Sequence, residues 1–283
     1  MGNAPSYSYS IHGPASPETP VILSVPHAGR AYPPALLAMS RVPVDRLVSL
    51  EDRYADALIG AAVAQGFTAI VAQRPRAWID LNRHEREVDP DMIEPRLRGD
   101  GLIRSAKVTG GLGLIPRRLR DDGDLWLYRI AAENLQRRIA EDYRPYHEAL
   151  RSLMRAARAR FGIAVLLDVH SMPPIDTAQI VIGNLFGRSA ASTLPAVVRE
   201  AAQADGLRWA DNAPYAGGHI LTAHADPKRE MHGIQIEIDR TLYLKEDLRT
   251  PRPDLGGMDR FIANIAQRLA DRATDLRLPQ AAE

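Results

Sequence analysis

The chain of 283 residues contains no cysteine. This absence excludes disulfide bonds, thiolate zinc sites, iron–sulfur clusters and a cysteine nucleophile. Any metal ion that the protein binds must therefore be held by histidine, aspartate and glutamate side chains.

The sequence also lacks an excess of charge and a long apolar run. Its 36 Lys and Arg residues against 35 Asp and Glu residues leave a net charge of +1. Such a balance gives no bulk attraction to nucleic acid or to an anionic membrane. No segment approaches the roughly 20 apolar residues of a membrane helix, and the first residues lack the pattern of a secretory signal. We expect a cytoplasmic protein whose partner is a small molecule.

Short apolar runs alternate with longer helical segments, which is typical of α/β proteins. The pattern predicts strands over residues 21–25, 68–71, 78–81, 164–169, 180–183 and 234–238. It predicts helices over residues 50–65, 125–161, 190–204 and 257–273. Pro145 should end or kink the second of these helices near Arg144.

The chain shows no internal repeat and no linker that would divide it. We therefore predict a single domain over residues 1–283, with its core at about 18–275. Residues 84–123 are rich in Arg, Asp, Pro and Gly, which predicts a long loop region within that domain.

Three predicted strands run directly into polar residues. His27 follows the first, Asn82 and Arg83 follow the third, and His170 with Ser171 follows the fourth. Because ligands of open α/β sheets bind at the carboxyl ends of strands, these side chains are expected to converge on one crevice. A single histidine in this position is more often structural, but the shared context favours a functional site.

A zinc site is one way to use these histidines. His27 and His170 offer two neutral imidazoles, and a catalytic zinc needs a third ligand and one open position. Glu51 and Asp52, at the start of the predicted helix 50–65, are candidate donors of the third ligand. The alternative is that these two carboxylates only complement the helix dipole.

Two carboxylates lie in the last predicted strand. Because side chains alternate along a strand, Glu237 and Asp239 share one face and the neighbouring isoleucines share the other. A carboxylate in so apolar a strand has a raised pKa unless it is paired, which suits a general base. A salt bridge, for example with Arg240, explains the pattern equally well.

Two further positions are candidate substrate contacts. Ser171 lacks the Gly-x-Ser-x-Gly frame of a hydrolase nucleophile, which favours a substrate contact or a cap. Gly218 and His219 lie in a glycine-rich stretch, where a solvated loop histidine is the alternative.

Five motifs together resemble the N-formylglutamate amidohydrolase family. They are SVPHAGR (24–30), IDLNR (79–83), DVHSMP (168–173), GG (217–218) and IEIDRTLY (236–243). The resemblance runs from about Val21 to Tyr243. It implies a three-layer α/β/α fold with a mixed, mostly parallel sheet, like that of zinc carboxypeptidases and aspartoacylases. It also implies one Zn²⁺ per chain at the ends of the strands.

The resemblance assigns the metal ligands. His27 and His170 match the two histidine ligands, and Asp52 or its neighbour Glu51 matches the acidic one. In carboxypeptidases the acidic ligand lies three residues after the first histidine, whereas this chain has Arg30 there.

The resemblance also assigns the residues that act on substrate. Asn82 and Arg83 match the pair that holds a substrate carboxylate, and Glu237 matches the general base. We choose Arg76 as the residue that stabilises the oxyanion. A second substrate carboxylate needs another cation, for which the candidates are Arg240, Arg104, Arg117 and Arg118.

The implied reaction is zinc-dependent hydrolysis of N-formyl-L-glutamate to formate and L-glutamate, a step of histidine degradation. A related N-acyl-amino-acid deacylase or carboxypeptidase-like hydrolase is the alternative enzyme. A binding module that grips carboxylates without catalysis is the alternative outside enzymes. Assembly as a homo-oligomer is compatible with all three.

Overall fold

A computed structural model describes residues 8–97, 101–119 and 122–276. A seven-stranded sheet runs in the order β1-β3-β2-β8-β11-β9-β10. Its strands are β1 (Tyr9–His12), β2 (Val21–Val25), β3 (Thr68–Ala72), β8 (Ala164–Met172), β9 (Ile180–Gly183), β10 (Trp209–Asp211) and β11 (Met231–Asp239). The strands β2, β8 and β11 are parallel, β9 is antiparallel to β11, and β10 is parallel to β9. The predicted α/β fold with a mixed sheet is confirmed.

The remaining described elements are mostly short. The helices are α1 (Pro34–Met39), α2 (Val44–Leu47), α3 (Gly60–Ala64), α4 (Ala106–Thr109), α5 (Ala132–Arg138), α6 (Arg144–Phe161), α7 (Thr193–Ala204), α8 (His219–His224) and α9 (Met258–Asp275). The two-residue strands are β4 (Ile93–Glu94), β5 (Arg118–Leu119), β6 (Gly123–Asp124) and β7 (Ile130–Ala131). Among the described residues, no helix has the length and apolar character that crossing a membrane requires.

The chain divides into two compact units, and the larger contains most of the sheet. It comprises Ile11–Val25, Tyr54–Ile70 and Leu150–Glu283. In it α9 packs against α3, α7, β2 and β8, while α8 packs against β8 and β11. Burial of these apolar strands and helix faces is the main stabilising contribution.

The smaller unit comprises Met1–Ser10, Pro26–Arg53 and Val71–Ala149. Arg138 is buried in the core of this unit. Its guanidinium carbon lies 3.5 Å from the centre of the Trp78 ring, and its Nη1 donates a hydrogen bond to the Trp78 carbonyl at 2.9 Å. Burial lowers the pKa of Arg138 to about 9. The Trp78 indole in turn donates to Asp142 at 2.7 Å.

The predicted strand over residues 78–81 is wrong, because this segment forms turns. Its carbonyl groups accept hydrogen bonds from side chains instead of from a neighbouring strand. Arg138 donates to the carbonyl of Trp78, and His147 Nε2 lies 3.0 Å from the carbonyl of Leu81. Just beyond the segment, Tyr143 donates to the carbonyl of Arg83 at 2.8 Å. The segment is thus a buried connection with fixed geometry.

The predicted helix over residues 50–65 is wrong for most of its length. Only α3, preceded by two 3₁₀ turns (Val48–Leu50 and Ala57–Ile59), is helical there. Tyr54 adopts φ +60°, which a right-handed helix does not allow. Glu51 and Asp52 therefore do not lie in the first turn of a long helix. The alternative interpretation, in which they only complement a helix dipole, is wrong.

The other helical predictions differ from the structure mainly at their ends. The helix predicted over 125–161 begins at Ala132, because Ile130 and Ala131 pair with β4. A π-helical turn (Ile139–Tyr143) precedes α6, in which Pro145 is the second residue. The helix therefore changes type at Arg144, where the sequence predicts an end or a kink. The region 84–123 contains, where it is described, only elements of two to four residues.

Candidate metal centre

Polar side chains form a row on one face of the strands β2, β8 and β11. The strand register pairs Asp168 with Ser24 on one side and with Gln235 on the other, and it pairs His170 with Glu237. Paired residues of neighbouring strands point to the same face of a sheet. All five side chains are buried. Such a buried polar row needs internal partners or a ligand.

Hydrogen bonds connect the members of this row. Ser24 Oγ donates to one oxygen of Asp168 at 2.7 Å, and the other oxygen lies 2.8 Å from His170 Nε2. Gln235 Nε2 donates to Glu237 at 2.9 Å. A carboxylate at Nε2 holds the ring proton there, so Nδ1 is the nitrogen of His170 that can bind a metal.

His27 lies just after β2 and is held in the same way. Its Nε2 lies 2.8 Å from an oxygen of Asp80, and its Nδ1 lies 3.3 Å from an oxygen of Asp52. The backbone N–H of Asp52 also donates to the His27 carbonyl at 3.0 Å. The aspartate at Nε2 again leaves Nδ1 as the ligand atom, directed toward a second carboxylate.

Asp80 is a fully buried anion with several partners. Arg76 Nε donates to it at 2.8 Å, the backbone N–H of Asn82 donates at 2.9 Å, and Arg83 Nε lies at 3.9 Å. Burial alone would raise the pKa of Asp80, but Arg76, His27 and Arg83 outweigh burial and hold the pKa well below its usual range. Asp80 is therefore a charged acceptor for the His27 ring.

His27, Asp52 and His170 form a group that could hold a metal ion. Each is buried and offers one ligand atom, and these atoms all lie within 4.8 Å of one another. Two imidazoles and one carboxylate suit zinc with an open fourth position. A buried carboxylate behind each histidine is the arrangement typical of metal-ligating histidines. The donor set therefore fits a zinc ion.

Glu51 lies next to this group in sequence, but its carboxylate has other partners. It accepts hydrogen bonds from the Tyr32 hydroxyl at 2.5 Å and from Arg53 at 2.8 Å. Burial raises the pKa of Glu51. Of the two acidic candidates, Asp52 is the one whose oxygen belongs to the metal-ligating group.

Asn82 and Arg83 follow the buried turn at Asp80. Arg83 donates from Nε to the Leu112 carbonyl at 2.9 Å and from Nη1 to the Asn82 carbonyl at 2.7 Å. Within the described part of the chain, Nη2 of Arg83 makes no hydrogen bond. The guanidinium is thus fixed in orientation while one nitrogen stays available for an anionic ligand.

Ser171 and Arg240 interact with each other. Strand alternation directs Ser171 to the face opposite His170, and its Oγ accepts from Arg240 Nε at 3.2 Å. Asp239 caps the turn that carries Arg240, because one of its oxygens accepts from the Thr241 N–H at 2.8 Å. Asp239 therefore has a structural role at the end of β11.

The glycine-rich segment before α8 lies on the face of β9 that adjoins Gln235 and Glu237. Gly183 of β9 pairs with Gln235, and a Cβ at Gly183 would lie 2.7 Å from the Ala216 carbonyl carbon. Gly218 and His219, the N-cap and first residue of α8, follow this crossing directly. The close approach of the backbone to Gly183 therefore positions Gly218 and His219, the two candidate substrate contacts.

The other arginine candidates lie in the region 84–123. Arg117 Nη1 lies 2.9 Å from Asp89, and Arg118 Nε lies 3.8 Å from Asp124. Both therefore have carboxylate partners in the protein itself.

Asp80, Asp168 and Ser24 are site residues whose role sequence reasoning missed. All three lie inside quoted motifs, yet no role followed from the motifs alone. For Asp168 a signal existed, because residues two apart in a strand share a face and Asp168 precedes His170 by two. For Asp80 the sequence offered no such signal, since its contact with His27 joins distant segments.

The sequence and the fold of this chain are similar to those of known proteins. The family model described as N-formylglutamate amidohydrolase matches residues 19–244. N-formylglutamate deformylase of Pseudomonas aeruginosa is 29% identical over 237 residues, which covers 80% of this chain and 83% of that protein. N-formylglutamate deformylase of Pseudomonas putida is 29% identical over 243 residues, covering 80% and 82%. The crystal structure of N-formylglutamate amidohydrolase from Ralstonia eutropha JMP134 superposes with a TM-score of 0.87 at 29% identity, covering 95% of this chain and 99% of that one.

Proposed function

The chain belongs to the N-formylglutamate amidohydrolase family, and from this premise we propose that it hydrolyses N-formyl-L-glutamate to formate and L-glutamate with one zinc ion per chain. The family membership supports an amidohydrolase, and the relatives named as N-formylglutamate deformylases support this substrate. We also propose that the reaction serves histidine degradation.

The observation that carries the proposal is the group of His27, Asp52 and His170. Each histidine is oriented through Nε2 by a buried aspartate, so both Nδ1 atoms are preset for a metal. A zinc ion bound there would lower the pKa of a coordinated water and polarise the amide carbonyl.

Glu237 is proposed as the general base. It pairs with His170 in the strand register, so its carboxylate lies on the face that carries this ligand. The Gln235 amide donates to one carboxylate oxygen and orients the group. Glu237 accepts a proton as water attacks the formyl carbon, and it donates that proton to the leaving nitrogen as the C–N bond breaks.

Arg83 and Asn82 are proposed to hold the α-carboxylate of the substrate. The available Nη2 of Arg83 and its fixed plane suit a carboxylate. Arg76 is proposed to contact the oxyanion, and because its Nε is held by Asp80, that contact would come from Nη1 or Nη2. Gly218, His219, Ser171 and Arg240 remain proposed contacts for the rest of the substrate.

Formate release from N-formyl-L-glutamate by purified protein tests the proposal. We expect Glu237→Gln to lower kcat by about 10²–10⁴-fold, because the amide cannot accept the proton. The matched control is Asp239→Asn, which changes a buried carboxylate of the same strand to an amide. It should keep most of the activity, since Asp239 only caps a turn.

Two results would contradict the proposal. Full turnover in Glu237→Gln would remove Glu237 from its role as base. A preference of the wild-type protein for N-acetyl over N-formyl amino acids would replace the deformylase by the related N-acyl-amino-acid deacylase.

A further inference from the structure

A pocket lined by arginines lies at the amino ends of the strands β8 and β11. Its volume is about 340 Å³, and Met231, the first residue of β11, lines it. Met231 pairs with Ala164, the first residue of β8. At about 3.3 Å per residue, Met231 is roughly 20 Å from Glu237 along the strand. The pocket is therefore separate from His170 and Glu237.

The lining of this pocket is strongly cationic. Arg151, Arg155 and Arg158 come from one face of α6, where residues three and four apart are neighbours. Arg229 comes from the 3₁₀ turn that precedes β11. Asp226 also lines the pocket, so its lining contains four arginines and one acidic residue.

Three of these arginines form no ion pair with any described residue. They are Arg155, Arg158 and Arg229. Cations gathered around one cavity repel each other, and a bound anion removes that repulsion. Guanidinium groups also bind phosphoryl and carboxyl oxygens in a bidentate manner.

The floor of the pocket adds hydrogen-bonding capacity without charge. His224 and Met154 are buried there. Burial lowers the pKa of His224 to about 3, with Arg151 and His219 adding to the effect. The imidazole is therefore neutral at neutral pH, with one N–H donor and one acceptor nitrogen.

We propose that this pocket binds a small anion of two or more negative charges, carried by phosphoryl or carboxyl groups. The volume lies at the lower end of the range for small-molecule sites. Nucleic acid is disfavoured, because the cavity is small and the net charge of the whole chain is only +1.

Calorimetric titration of the full-length protein with inorganic phosphate, and separately with propane-1,2,3-tricarboxylate, tests this inference. We expect one-to-one binding that weakens with added salt. Arg155→Glu and Arg229→Glu, on different elements, should each raise Kd by at least about tenfold. Arg208→Glu is the matched control, because Arg208 is an exposed arginine of the same unit that does not line the pocket. It should leave Kd unchanged.

Each outcome decides the inference. Binding of either probe that is lost in the two pocket variants supports it, and the stronger probe identifies the phosphoryl or the carboxyl source. No binding of either probe overturns it. Binding that is equal in wild type and both pocket variants places the anion elsewhere and also overturns it. Binding of a single-stranded oligonucleotide without binding of the small anions also overturns the inference. Thermal unfolding of each variant checks that these exposed substitutions leave the fold intact.

Discussion

At the scale of single residues, the account depends on the two aspartates that orient the histidine ligands. Asp80 holds His27, and Asp168 holds His170, each at 2.8 Å. We expect Asp80→Asn and Asp168→Asn each to weaken zinc binding by about 10–100-fold, because the charge that fixes each ring is lost. Competition with a chromophoric chelator measures the affinity.

Glu51→Gln is the control for this prediction. It removes the charge of a buried carboxylate next to Asp52, but one bound by Tyr32 and Arg53. Its zinc affinity should equal that of wild type. Wild-type affinity in both aspartate variants would mean that the aspartates do not position the ligands.

Because His224 is buried, we expect the free energy of unfolding to depend on pH. Its folded pKa is lowered from 6.5 to about 3, mainly by burial. Between these values the unfolded state binds more protons, so the free energy of unfolding falls as pH decreases below 6.5. We expect His224 to account for a loss of about 2 kcal/mol between pH 7 and pH 5.

Urea unfolding of wild type and His224→Gln at both pH values measures this contribution. From pH 7 to pH 5, wild type should lose about 2 kcal/mol more unfolding free energy than the variant does. An unchanged difference would show that His224 is protonated in the folded protein.

Sequence reasoning identified most of the residues of the metal-ligating group. His27 and His170 follow apolar runs, and strand ends are where α/β sheets bind ligands. It could not choose between Glu51 and Asp52, because that choice depends on Tyr32 and Arg53, whose contacts with Glu51 the sequence does not reveal.

At the scale of elements, strands with continuous apolar runs were predictable and irregular connections were not. The strands β2 and β9 have the predicted bounds, because nearly every side chain in them is apolar and all are buried. The segment 78–81 has similar composition, but side chains of Arg138 and His147 take its carbonyl groups. Such contacts join positions far apart in the chain and leave no local pattern.

The backbone before α8 passes close to Gly183 of β9, and this contact gives a prediction at the scale of elements. Gly183→Ala would place Cβ 2.7 Å from the Ala216 backbone, so we expect a loss of about 1–3 kcal/mol of stability. We also expect a higher KM, because the displaced backbone leads into Gly218 and His219. Thermal unfolding and steady-state kinetics measure the two effects.

Gly60→Ala is the matched control for this substitution. Gly60 is the first residue of α3, and its Cβ would meet nothing within 4 Å. Alanine there should raise stability by about 0.4–1 kcal/mol and leave KM unchanged. Equal effects of the two substitutions would contradict the close contact at Gly183.

At the scale of the whole molecule, a net charge near zero conceals a local concentration of charge. The net charge of the chain is only +1, yet four arginines line one pocket in the larger unit. Composition sums over the chain and carries no information on which side chains the fold brings together. The single domain over residues 1–283, the oligomeric state and the cytoplasmic location stay predictions.

Zinc content, measured together with formate release, tests the central claim most directly. We expect about one zinc per wild-type chain, formate release that a chelator abolishes and zinc restores, and loss of both zinc and activity in His170→Ala. Circular dichroism of the variant should match that of wild type. Full formate release from a metal-free wild-type protein, or from His170→Ala, would contradict the account.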